Sequence, residues 1–132
     1  MLEKITLVVD VDGTLCPVKC GGQEYCDLTP YHDVVEKLKE YHAQGARIVL
    51  YTSRNVNTYK GNIGLINANT AKVLLGWLDK WEIPYHEIIY GKPWAGHRGI
   101  YVDDRAVRPD EFLKYSFEEL EKICDDSKKE LK

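Results

Sequence analysis

The sequence predicts an α/β protein with a mainly parallel sheet flanked by helices. Three observations lead there. Short apolar runs with β-branched content occur at residues 5–9, 47–51, 86–90 and 99–102. Segments of helical period separate the first three runs. Each run ends abruptly in polar or charged residues: Asp10 and Asp12, then Thr52-Ser53-Arg54-Asn55, then Lys92, then Asp103-Asp104-Arg105. Right-handed β-α-β crossovers would set all four ends along one edge of the sheet. Open α/β sheets bind their ligands at that edge.

The elements follow in chain order. Residues 5–9 are the length of a buried strand. Residues 15–28 hold Pro17, Gly21, Gly22 and three cysteines without a sustained period, so they read as a loop or small hairpin, a flap beyond the strand end. Thr29 and Pro30 suit a helix N-cap and first helical position. Val34, Val35, Leu38, Tyr41 and His42 then form the apolar face, and Gly45 the C-terminal cap. A second strand at 47–51 is followed by a loop with Gly61 and Gly64. The next helix is expected from about Asn69 or Thr70 to Trp81, with Val73, Leu74, Trp77, Leu78 and Trp81 as its stripe and Pro84 beyond its end. Strands at 86–90 and 99–102 follow. A last helix starts on a capping box of Ser116 and Glu119 and turns Phe117, Leu120, Ile123 and Cys124 inward. Residues 125–132 are nearly all charged and are expected to fray. No repeat or linker divides the chain, so 1–132 reads as one domain.

Composition narrows the function classes. The chain has 132 residues, of which 44% are hydrophobic, enough for a core without disulfide support. A formal net charge of −3 provides no basic field for nucleic acid or an anionic membrane. No apolar run reaches transmembrane length, and the first residues lack a signal-peptide pattern. The expected location is the cytoplasm, where the four cysteines would be reduced. Cys16, Cys20 and Cys26 match no standard zinc spacing, and plain thiols are the simpler reading. His32 and His42 read as packing or surface residues.

The carboxylates carry the chemistry. Asp10 and Asp12 are two apart, so they point to the same side where the strand runs out. Alone, the stretch also suits a plain Asp-Gly turn. Two like charges this close need a cation, a shared proton or hydrogen bonds to offset them. With Asp103 and Asp104, the edge offers four carboxylates for a hard divalent ion. Magnesium typically takes one or two carboxylates plus waters and substrate phosphate. Lys92, the Thr52 hydroxyl and the backbone N–H groups of Gly13 and Thr14 would complete a phosphate cradle. One aspartate could then attack phosphorus while another moves the proton.

The motifs resemble those of haloacid dehalogenase (HAD) superfamily phosphatases, in order: Asp10-Val11-Asp12-Gly13-Thr14, Thr52 after residues 48–51, Lys92, and Asp103-Asp104. More narrowly, Thr52-Ser53-Arg54-Asn55, Gly91-Lys92-Pro93-Trp94-Ala95-Gly96 and Val102-Asp103-Asp104-Arg105-Ala106-Val107-Arg108-Pro109 resemble small phosphatases of bacterial capsule-polysaccharide biosynthesis. The resemblance implies a Rossmann-like HAD core and a Mg²⁺-dependent phosphomonoesterase working through an aspartyl-phosphate. Its substrate would be a small phosphorylated metabolite or sugar-phosphate precursor. It implies Asp10 as nucleophile and magnesium ligand. Asp12 would be the general acid/base and a ligand through its backbone carbonyl. Thr52 and Lys92 would bind the phosphoryl group, Asp103 would hold the metal, and Asp104 would assist directly or through water.

Neither 15–28 nor the stretch between Thr52 and Lys92 can hold a folded cap. The resemblance therefore implies a capless form, a class whose members often form homo-oligomers. Substrate choice would fall to the flap and to Ser53, Arg54, Asn55, Trp94, His97, Arg98 and Arg105. Arginines suit a second anionic group, although each could equally be a solvated charge or a structural ion pair. Alternatives are a phosphotransferase or phosphomutase with the same Asp10 chemistry, a receiver-like signalling domain, and a non-catalytic binding protein. A receiver would need its phosphoacceptor aspartate mid-chain, where Thr52 stands instead.

Overall fold

In the computed structural model, which describes residues 1–132, three parallel strands form the sheet. They are β1 (Thr6–Val9), β2 (Arg47–Thr52) and β3 (Glu87–Tyr90), side by side in that order. Val9 pairs with Leu50, and Thr52 with Tyr90. Parallel pairing puts the C-terminal ends of all three strands on one edge, as the sequence predicts. Helix α1 (His32–Ala43) connects β1 to β2, and α2 (Ile63–Lys80) connects β2 to β3. These elements lie in one compact unit, Met1–Trp94. A second unit, Ala95–Lys132, carries α3 (Pro109–Lys114) and α4 (Phe117–Asp126). No helix is long and apolar enough to cross a membrane.

The core is built on β2. Ile48, Val49 and Leu50 are buried between its neighbours, with Leu38, Leu74 and Leu78 fully buried on the helices. β1 is an edge strand, not the fully buried strand its composition suggests: Val8 is 61% exposed. Trimming the central strand should be measurable. Ile48→Val is expected to cost about 0.5–1.5 kcal/mol of unfolding free energy in urea titration.

Several boundaries differ from expectation, each for a local reason. α1 starts at His32, not at the Thr29-Pro30 signal. The Tyr31 N–H donates to the Leu15 carbonyl at 2.7 Å, tying that segment to the start of the flap. His42 is exposed, and its ring lies 5.4 Å from that of His86. α2 starts at Ile63, well before Asn69, because the Asn62 side chain accepts from the Leu65 N–H at 3.1 Å. Gly64 therefore sits inside a helix. The buried face of α2 is Ile66, Thr70, Leu74, Trp77 and Leu78, while Val73 is exposed and Trp81 only partly covered. β3 starts one residue late because the His86 side chain takes over the ladder: Nδ1 accepts from the Ile48 N–H at 3.0 Å.

The fourth strand expected at 99–102 does not form. The segment has no regular structure, and Ile100 and Val102 are 80% and 93% exposed. A strand is made by its partner, and the three-stranded sheet does not include this run. Helix α3 adds an element unanticipated from the sequence, with Pro109 in its first turn and the Arg108 N–H donating to Glu111 Oε1 at 2.9 Å. The Ser116–Glu119 capping box of α4 forms as expected, with bonds of 3.0 and 3.2 Å. Leu120 and Cys124 are its buried residues. Asp125 and Asp126 close that helix instead of fraying, with Asp126 paired to Lys122 and Lys129.

Candidate functional site

The strand ends of the first unit bring Asp10, Asp12, Thr52, Arg54 and Lys92 together around two ion pairs. Asp10 follows β1, and its Oδ1 lies 3.6 Å from Lys92 Nζ. Lys92 is delivered by the turn after β3, where its N–H donates to the Thr52 carbonyl at 3.1 Å. Gly91 makes that turn at φ +86, and a Cβ there would collide with Ile63. The Thr14 hydroxyl reaches Asp10 Oδ2 at 3.5 Å. Burial pushes the Asp10 carboxyl above its ordinary pKa, with the charge of Lys92 pulling the other way.

The second pair is tighter. Arg54 Nε donates to Asp12 Oδ2 at 3.1 Å and Nη2 to Asp12 Oδ1 at 2.8 Å. This is the forked geometry that a guanidinium makes with a carboxylate. The Arg54 side chain is 1% exposed and that of Asp12 22%. The Tyr25 ring lies over the guanidinium, 4.1 Å from Cζ. Tyr25 belongs to the flap, which forms a single 3₁₀ turn at Tyr25–Asp27. Both flap ends are held: Leu15 and Cys16 are fully buried, and the Leu28 carbonyl accepts from Trp77 Nε1 at 2.6 Å. Trp77 is thus a core residue with a satisfied indole.

The turn after β1 uses its own backbone donors. The Gly13 N–H donates to the Cys16 carbonyl at 2.7 Å and that of Thr14 to the Val11 carbonyl at 3.1 Å. These are the two N–H groups expected to face a phosphate, and here they hold the turn. Gly13 sits at φ +87, a conformation that disfavours side chains. Thr52 is buried, and its Oγ1 accepts from the Arg54 N–H at 3.0 Å. The Ser53 carbonyl accepts from the Val56 N–H at 3.0 Å. Asn55 is committed to the scaffold. At φ 63 its Oδ1 accepts from Thr70 Oγ1 at 2.7 Å and its Nδ2 donates to Thr58 Oγ1 at 3.3 Å.

Of the remaining candidates, Trp94 is exposed at the end of the first unit, and His97, Arg98, Asp103, Asp104 and Arg105 lie in the second. Asp103 Oδ1 accepts from the Arg105 N–H at 2.8 Å, and Arg105 Nη1 pairs with Asp125 at 3.0 Å. Asp104 pairs with Lys128 at 2.8 Å, and that bond holds its carboxyl below the ordinary value. Neither unit gathers three or more His, Cys, Asp or Glu side chains as a metal cage.

The donor set still distinguishes hard from soft ions. Around Asp10 and Asp12 the donors are oxygens, which suits magnesium with its retained waters. The one sulfur nearby is Cys16, whose Sγ donates to Asp12 Oδ1 at 3.7 Å. Burial pushes this thiol up to about 12, so it stays protonated at neutral pH. Cys16 and Cys124 are buried, Cys20 and Cys26 exposed. Native protein should therefore release two thiol equivalents quickly to a disulfide reagent at mildly alkaline pH, and all four only after denaturation.

Arg54's partner, the Tyr25 stack and the placement of Cys16 beside Asp12 are the features that sequence reasoning missed. The Arg54–Asp12 pair joins residues 42 positions apart, so no local spacing signals it. No family model and no curated protein matches the chain. Two solved structures are similar to it. One is a Vibrio cholerae protein, a target of the MCSG, with 46% identity over 93% of this chain and 98% of that one, at a TM-score of 0.87. The other is a chain of the Pnkp1/Rnl/Hen1 complex, with 21% identity over 86% of this chain and 34% of that one. Its TM-score is 0.48. At nearly half identity over almost its whole length, the chain belongs to the same family as the Vibrio cholerae protein.

Proposed function

We propose that the chain is a Mg²⁺-dependent phosphomonoesterase of the HAD type, acting through an aspartyl-phosphate on a small phosphorylated metabolite or sugar-phosphate precursor. The observation that carries this reading is Asp10 at the end of β1, partly buried and 3.6 Å from Lys92 Nζ. A carboxylate nucleophile needs a nearby cation to keep it ionised and to balance the charge of the phosphoryl group. The resemblance of the four motifs to HAD phosphatases supports the same assignment.

In this reading an Asp10 oxygen attacks phosphorus, and the Asp10–phosphorus bond forms as the ester oxygen departs. Asp12 gives that oxygen a proton. It then takes a proton from water, which attacks phosphorus and releases inorganic phosphate and Asp10. Arg54 bonds both Asp12 oxygens and Cys16 Sγ also reaches Oδ1, which leaves a lone pair on Oδ2, so the carboxyl is oriented without being used up. Thr52 and Lys92 bind the phosphoryl oxygens. In the first unit, Asp10 and the Asp12 carbonyl would hold magnesium, which when bound supplies charge neutralisation for the phosphoryl transfer.

Phosphate release over a panel of phosphorylated sugars, polyols and amino alcohols tests the reading. Activity dependent on Mg²⁺ and abolished by chelation is the expected result. A protein inactive across the whole panel would remove the reading.

A further inference from the structure

We propose that Arg54, beneath Tyr25, is the anion subsite that selects the substrate, so that the preferred ester carries a second anionic group, a carboxylate, on its alcohol portion. The proposal rests on the phosphomonoesterase reading and names its substrate class.

The argument starts from an imbalance. Asp12 takes Nε and Nη2 of Arg54, but Nη1 is buried and has no partner. A guanidinium cannot lose its proton, so the donors of Nη1 persist at any working pH. Leaving such a donor unbonded costs free energy, more for a charged group than for a neutral one. Such a donor next to a reactive carboxylate calls for a partner, and an oxygen of a bound substrate would supply one. A second orphan lies in the same unit. The Tyr90 hydroxyl is buried without a partner, and it is close enough for the charge of Arg54 to act on it. Tyr90 pairs with Thr52 in the sheet, two residues before Arg54.

Two features favour an anion over a neutral hydroxyl. Charge-assisted bonds from a guanidinium are shorter and stronger with carboxylate than with alcohol oxygens. The Tyr25 ring stacks on the guanidinium and keeps water from one face, which strengthens whatever electrostatic contact Nη1 makes. Two of the other expected specificity residues are otherwise engaged: Asn55 is bonded to Thr70 and Thr58, and Arg105 to Asp125.

Matched esters isolate this contact. Phosphoglycolate and 2-hydroxyethyl phosphate differ in a carboxylate against a hydroxymethyl group, as do 3-phosphoglycerate and glycerol 3-phosphate. With Mg²⁺ present, wild type is expected to favour the carboxylate member of each pair by about 10- to 100-fold in kcat/KM. Arg54→Gln should narrow that ratio to about threefold or less, and Arg54→Lys should keep part of it, since charge survives without the fork. Equal wild-type rates within both pairs would overturn the subsite while leaving the phosphatase reading intact. A ratio unchanged in Arg54→Gln, with both rates lowered together, would make Arg54 purely structural. No phosphate from any ester, here or across the wider panel, would overturn both. Should the glutamine variant fail to fold, the wild-type ratios and the lysine variant still decide.

Discussion

Asp10→Asn is expected to lower Mg²⁺-dependent phosphate release by about four orders of magnitude or more, and at the same time to raise the melting temperature of the metal-free protein at neutral pH. The first effect follows from removing the nucleophile. The second follows from the direction of the Asp10 shift. Burial raises the folded-state value above the ordinary 3.8, so the folded chain binds that proton more tightly than the unfolded chain does. The ionised form therefore costs stability above the folded value, and the cost fades as pH falls to the unfolded value. Asparagine removes the charge and the cost with it. The melting difference between variant and wild type should be largest near neutrality and shrink on acidification. Added Mg²⁺ should raise the wild-type melting temperature more than that of the variant, by mass action on the folded state. A variant as active as wild type would eliminate Asp10 as the nucleophile. A variant less stable at neutral pH would show that the Lys92 pair outweighs burial.

Asp12→Ala should behave in the opposite way, although the two residues are neighbours on one strand end. The substitution strands the Arg54 guanidinium, 1% exposed, with no carboxylate. Breaking one partner out of a buried pair typically costs about 3–5 kcal/mol, a large part of the roughly 5–15 kcal/mol that holds a domain folded. Asp12→Asn keeps one acceptor oxygen and should fall between. Arg54→Gln should cost less than Asp12→Ala, because the Asp12 side chain is 22% exposed and water can reach the abandoned carboxylate. Urea unfolding of the three variants gives the order directly. A loss under about 1 kcal/mol for Asp12→Ala would mean that Arg54 finds another partner, at odds with a burial cost of several kcal/mol.

The sheet edge was legible from the sequence because it depends on local signals. A β-branched run that stops at a polar residue marks a strand and its end, and two of the crossovers contain plain helical stripes. Val34, Val35 and Leu38 on α1 and Leu74, Trp77 and Leu78 on α2 are buried as their spacing requires. Two of the failures share a cause: they depend on partners far away in sequence. Val8 looks like core, yet β1 has a strand on one side only. The 99–102 run has strand composition and no strand beside it. The start of α2 was obscured by Gly61 and Gly64, whose turn preference masked the cap at Asn62. At the site, Asp10 and Lys92 could be set on one sheet edge from their positions at strand ends. The roles of Arg54 and Asn55 could not, because both are polar residues after the same strand. Only tertiary contacts send one to Asp12 and the other to Thr70.

The flap has a further consequence for how such a chain can diversify. Its two ends are anchored in the core, at Leu15 and Cys16 and at the Leu28 carbonyl against Trp77, while residues 17–24 between them are exposed. Closing a longer loop between fixed ends adds only about 0.6 kcal/mol for each doubling of its length. Whole modules could be spliced between the anchors without disturbing the strand end that bears Asp10. The segment is a socket for new recognition elements, and library insertions there should be tolerated where insertions at 53–58 are not.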